Sequence, residues 1–179
     1  MRIRMAVGGL VAIGLAGSGL VLAFGQALSV NTPTVALGKV ARGSQATTFT
    51  VTTAGLVSAT TGNGALVGTA TGLPFSFSIG CSNCDSNQTG TGHTFTLTVT
   101  TSTSSGASGV TVGVYSYGSI SNASLSGTAP APADPLTVTF TNVTKWPVTI
   151  GLGFTYTVDT TTTNGASTVS YSATVTQTD

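Results

Sequence analysis

So few residues of this 179-residue chain carry reactive groups that its possible chemistry can be read almost residue by residue. Cys81-Ser82-Asn83-Cys84 is the only cysteine pair. Its spacing admits a disulfide, a redox dithiol or part of a metal site. A redox CxxC needs a helix N-terminus to stabilise its thiolate, and the residues that follow, Asp85 to Gly90, read as a loop. A zinc site would recruit His93, the lone histidine, and still lack a clear fourth ligand. In an exported chain, two nearby cysteines most simply form a disulfide. A loop this short removes little chain entropy, so the bond would mainly shape the turn after Pro74–Gly80.

Three tripeptides have the Asn-X-Ser/Thr pattern of N-glycan acceptors: Asn87-Gln-Thr, Asn122-Ala-Ser and Asn142-Val-Thr. Each marks a candidate exposed site in an exported chain. Asn87 sits in the clearest loop, whereas Asn142 reads equally well as a plain strand-end residue. General acid–base catalysis finds little to use. The chain has no Glu, so a glycosidase-like Glu pair is ruled out. Its four acids (Asp85, Asp134, Asp159, Asp179) are scattered through turns and the C-terminus. No GxSxG elbow accompanies His93. Lys39 and Lys145 have the chemistry for an isopeptide crosslink, but nothing in the local sequence argues for one. The expectation is a non-enzyme with no catalytic residues, no metal and no cofactor.

Trp146, Tyr115, Tyr117, Tyr156 and Tyr171 support a different activity, because aromatic faces on a β-sheet can stack on sugar rings. Such residues are more often sheet-face or core packing. A carbohydrate-binding or adhesive module therefore stands as the alternative.

The elements that position these residues follow from composition. Charged residues make up only 5% of the chain, against about 25% in ordinary soluble domains. Polarity comes instead from Thr, Ser, Asn and Gly. Thr, Val, Tyr and Phe favour pleated sheet, and the helix formers Glu, Lys, Arg and Gln are nearly absent. Few and scattered basic residues exclude a phosphate-tracking nucleic-acid surface. A surface so poor in charge has little protection against self-association; either glycans solubilise it or association is its purpose.

The first 27 residues have the three parts of a secretory signal peptide: basic Met1–Arg4, apolar Ala6–Phe24, and small residues at Gly25 and Ala27 flanking Gln26. An uncleaved anchor is the other reading, since about 19 apolar residues can just span a bilayer. Five glycines within the run weaken it as a permanent helix. A pilin-type core helix fits less well, because no processing site follows the short basic leader. Membrane contact is thus expected only through this segment, before cleavage.

Beyond it, apolar residues alternate with period two in run after run. Phe49 and Val51 share a face, as do Phe75, Phe77 and Ile79, then Phe95, Leu97 and Val99. Val110, Val112 and Val114 alternate next, with Tyr115 and Tyr117 opposite. Leu136, Val138 and Phe140 follow, then the long run Val148 to Val158, and last Val169, Tyr171, Ala173 and Val175. Asn164-Gly165 is a tight-turn dipeptide that predicts a hairpin of Gly151–Thr160 with Ser167–Thr176. Eight to ten short strands at this spacing predict an all-β domain: a single two-sheet sandwich, Ig-like or jelly-roll-like, over residues 46–179. Past Ala27 the chain is long enough to bury about two-thirds of its unfolded surface.

Residues 28–45 stand apart. Leu28–Arg42, LSVNTPTVALGKVAR, is extended in character, and Pro33 argues against a central strand. Leu28 and Val30 share one face before the proline; Val35 and Leu37 share one after it. The segment reads as an edge strand of the same domain or as a donor strand that fills a groove in the next subunit. A head-to-tail exchange of that kind need not close and builds an open fibre.

A signal peptide, a short extended tail and one Thr/Ser-rich, Asn-glycosylatable β-domain with almost no charge together resemble archaeal surface filaments of the thread or bundling-pilus type. Those are similar in plan to the bacterial TasA biofilm fibre proteins. The resemblance covers the whole chain in layout and composition. It implies a heat- or acid-tolerant extracellular homopolymer of identical subunits, carrying N-linked glycans and joined by donor-strand complementation through Leu28, Val30, Val35 and Leu37.

Overall fold

The computed structural model describes residues 27–82, 84, 93–102, 105–106, 109–162, 165–169 and 171–178. They form strands and turns, with no helix among them. In chain order the strands are β1 (Ala27–Asn31), β2 (Val35–Ala41), β3 (Thr47–Val51), β4 (Val57–Thr61), β5 (Ala65–Val67), β6 (Ser76–Ser82) and β7 (Thr94–Thr101). They continue as β8 (Ser105–Gly106), β9 (Val110–Ser121), β10 (Ser124–Leu125), β11 (Leu136–Thr141), β12 (Val148–Val158), β13 (Gly165–Val169) and β14 (Tyr171–Thr178). The signal segment, apart from Ala27, and Asn87 lie outside the described residues.

All pairing is antiparallel, in three sheets. The largest runs β1-β6-β12-β3-β4, with β9 on the far edge of β12. The second runs β10-β11-β7-β14 and the third β5-β2-β13-β8. The alternating apolar residues of all three turn inward onto one core, in which Phe77, Ile79, Leu97, Val99, Phe140, Ile150 and Leu152 are fully buried. The outward positions are mostly Thr and Ser, whose branched or small side chains suit the pleat without adding charge. Rings tie the sheets together: Phe75 lies 5.0 Å from Phe77 and from Tyr171, 5.5 Å from Phe154 and 6.1 Å from Tyr115.

Several sequence expectations change in the structure. Val114 is exposed and Tyr115 fully buried, reversing the faces that strict alternation gives. The cause is a bulge. Val112 pairs with Tyr156 and Tyr115 with Phe154, so three steps on β9 match two on β12. A second extra residue intervenes between Tyr117, opposite Leu152, and Ser119, opposite Gly151. The hairpin expected around Asn164-Gly165 does not form. Both edges of β12 are already filled, by β9 on one side and by β6 and β3 on the other. The final apolar run instead divides into β13, which pairs with β2 and β8, and β14, which pairs with β7.

Residues 28–45, read from the sequence as one tail, contain two strands in different sheets. β1 is an edge strand on β6, whereas β2 lies between β5 and β13. Its Val35, Leu37 and Val40 are buried in the core.

Because Phe75 touches four other rings from the centre of this core, Phe75→Ala is expected to lower unfolding stability by about 3–5 kcal/mol. Equilibrium denaturation in urea measures it. A loss under 1 kcal/mol would contradict the packing described.

Candidate functional site

The N-terminal strand is where sequence and fold converge. β1 pairs with β6 over five residues, with Leu28 opposite Cys81 and Val30 opposite Ile79. Beyond the ladder, the Ser82 hydroxyl donates to the Ala27 carbonyl at 3.2 Å. Leu28 and Val30 are half-buried against the core, while Ala27, Ser29 and Asn31 face outward. Across from β1 runs β14, whose backbone comes close to it without any ladder between them. The floor between them includes Phe77, Ile79 and Tyr171, with the Phe77 and Tyr171 rings 5.4 Å apart and nearly perpendicular. The Tyr171 hydroxyl donates to the carbonyl of Pro33 in the link between β1 and β2.

The balance holding β1 in place is narrow. Half-burying two aliphatic side chains gives about 2 kcal/mol, and its ladder bonds give about 1 kcal/mol each. Ordering five residues costs about 1–2 kcal/mol apiece. The two sides are of similar size, so β1 is bound to its own domain only marginally. The four donor-strand candidates therefore divide: Leu28 and Val30 lie on this marginal strand, and Val35 and Leu37 lie in the buried interior.

Cys81 and Cys84 are joined in a disulfide with Cα atoms 5.7 Å apart. The bond closes the end of β6 where it pairs with Ala27 and Leu28. His93 stands beside Gln177, with Nδ1 3.2 Å from Nε2, and packs against Phe95. Among the described residues, no three His, Cys, Asp or Glu side chains cluster as metal ligands.

Asn122 and Asn142 both adopt left-handed backbone, with φ of 64° and 50°, a conformation that Asn tolerates better than most residues. The Asn122 amide donates to Pro147 O at 2.8 Å, and the backbone N–H and hydroxyl of Thr144 both donate to Asn122 O. Val143, at the centre of the third sequon, is buried. The Asn142 sequon thus lies at a turn, with Asn142 itself exposed and Val143 buried.

The aromatic residues that raised sugar binding are engaged elsewhere. Tyr115 and Tyr156 are fully buried, and Tyr117, Tyr171 and Trp146 are partly buried against the core. Trp146 meets Phe95 edge-on at 5.5 Å. Burial raises the Tyr156 hydroxyl to about 12, and that hydroxyl has no hydrogen-bond partner. Burial raises Tyr115 as well, partly offset by its hydrogen bond with Thr101. Asp159 is held below the usual carboxylate range, first by the Thr161 N–H and then by the Thr160 hydroxyl. It is fully exposed and serves its own turn.

No protein-family model matches the chain, and no curated protein or solved structure matches it either.

Two outcomes follow from this geometry. Breaking the disulfide with Cys81→Ser and Cys84→Ser should cost at most about 2 kcal/mol globally, given so short a loop. Hydrogen exchange should nevertheless speed up at Ala27–Ser29 and the end of β6; unchanged exchange there would separate the disulfide from β1. The pH profile has its sign fixed by the tyrosines, which are buried in neutral form. Their stabilisation is complete below the unfolded value near 10 and is lost as pH rises through the folded value of about 12 for Tyr156. Thermal melts should show a steep alkaline decline above about pH 10. The acid side should change little, since lowering the pH protonates only a few carboxylates.

Proposed function

We propose that the protein is exported and processed after Ala27, and that it serves as the repeating subunit of an extracellular filament. In this reading the strands from β2 onward supply a sandwich-like β-domain. Identical subunits join head-to-tail by exchange of the N-terminal strand. The observation that carries it is β1: a short edge strand of uncharged residues, laddered on one side only and joined to β2 by the three-residue link Thr32–Thr34. A neighbour's β1 would meet the same partners on β6, with Leu28 against Cys81 and Val30 against Ile79. Since the bonds are the same in both arrangements, exchange trades little enthalpy and is governed by subunit concentration.

The exchanging element is then Leu28–Asn31, with Val35 and Leu37 remaining in their own subunit's core. Attached N-glycans at Asn87, Asn122 or Asn142 would supply the solubility that charge does not. Membrane contact would be confined to the signal segment before cleavage. Low charge also fits a homopolymer, because like subunits meet without repulsion.

The test is electron microscopy of the mature chain beside the double variant Leu28→Asp/Val30→Asp. Fibres are expected from the first and dispersed particles from the second, with a retained circular-dichroism melt showing that the domain still folds. Dispersed particles from both, even at high concentration, would remove the filament reading and bring forward the adhesive module. Fibres from both would show that assembly does not use β1.

A further inference from the structure

When a strand is exchanged between identical subunits, its ladder is the same in both arrangements, and only the segment joining it to its domain changes course. The preference for one arrangement over the other therefore sits in the contacts of that segment. For β1 the segment is Thr32–Thr34, where the chain passes from the first sheet to the third.

The far end of this link is anchored. Ala36, the second residue of β2, exchanges N–H···O bonds of 3.1 and 2.8 Å with Thr71. Gly72 next to Thr71 has left-handed backbone, with φ of 77°, and Thr34 O occupies the space that a Cβ at this position would need. Pro33 has its φ set by its ring, and it confines Thr32 to extended backbone. A change of course for β1 must therefore begin near Thr32 and Pro33.

One side chain from the second sheet reaches that point. The Tyr171 hydroxyl donates to the Pro33 carbonyl. The ring behind it is held edge-on by Phe75 at 5.0 Å and by Phe77 at 5.4 Å. Phe77 belongs to β6, the strand that accepts β1. The same tyrosine thus touches both the accepting strand and the link that delivers β1 to it. Burial, and then the nearby Tyr115 hydroxyl, push the Tyr171 hydroxyl above its ordinary value, so it stays protonated and able to donate.

We infer that Tyr171 is an autoinhibitory latch: by holding the Pro33 carbonyl it keeps β1 on its own domain and opposes transfer of β1 to another subunit. The role as an inhibitor rests on the strand exchange proposed above; the latch itself acts within one chain. The ladder of β1 on β6 can be remade on a neighbour, whereas the Tyr171–Pro33 bond belongs to the present course of the link. Opening replaces it by water at the carbonyl, and one such bond is worth about fivefold in the opening equilibrium.

Hydrogen exchange on the dilute mature protein tests the latch. Tyr171→Phe keeps the ring and removes the donor, so the amides of Leu28–Asn31 should exchange about fivefold faster, with the β7–β11 and β3–β12 ladders unchanged. Thr162→Val removes a bond of the same kind elsewhere, from the Thr162 hydroxyl to Gly109 O at 2.9 Å, and should leave β1 unchanged. Where native fibres form, light scattering should show Tyr171→Phe assembling at about fivefold lower concentration. Unchanged exchange at β1, an equal effect of Thr162→Val, or a fibre threshold that does not fall overturns the proposal. Faster opening of β1 with no fibres from either protein would keep the latch and remove the filament reading. Fibres with unchanged opening of β1 would do the reverse.

Discussion

Along its eleven residues, β12 bonds to β9 on one side and to β6 and then β3 on the other. Val148 lies opposite Ile79 and Phe154 opposite Val51, so one strand holds two separate neighbours in line on the same edge. Leu152 bridges the gap between them by donating to Phe75 O at 2.8 Å. The middle of the strand is crowded on both faces. Gly151 and Gly153 are buried, and a Cβ on Gly153 would lie only 2.6 Å from Val51 O. β6 is positioned by this arrangement, and β1 is positioned by β6. The N-terminal edge is therefore set by a strand more than a hundred residues away in sequence.

Much of this fold was legible because unbroken alternation is a strong signal. Phe75, Phe77 and Ile79 are buried as their spacing predicts, and so are Phe95, Leu97, Val99, Leu136, Val138 and Phe140. The cysteine pair was legible from its spacing and now closes one end of β6. What the sequence concealed are departures from period two. A bulge leaves no mark in a run such as VTVGVYSYG except its glycines, and glycine has other uses, so the inversion at Val114 and Tyr115 could not be read. The Asn164-Gly165 turn signal was overridden by tertiary pairing, since β12 had no edge left for a hairpin partner. Pro33 was read as a break and does separate β1 from β2. That the two halves enter different sheets depends on partners far along the chain, which local pattern does not encode.

The candidate site shows the same division. Leu28 and Val30 were identified by facing the same way before a proline, a local property. Val35 and Leu37 satisfy the same rule yet are core residues, because β2 has strands on both sides. Local amphipathicity marks which residues point inward. Whether they are held marginally or deeply depends on the number of neighbouring strands.

The order of partners along the chain also sets when the molecule can close. β2 waits for β13, β3 for β12 and β7 for β14. Most of the interior thus depends on β12, β13 and β14, the last three described strands in chain order. Contacts so distant in sequence slow folding, because a long loop must be closed before any of them forms. A chain emerging N-terminus first cannot complete its sheets until its final strands arrive. Synthesis would therefore deliver an incomplete set of sheets, closed only when β12, β13 and β14 arrive.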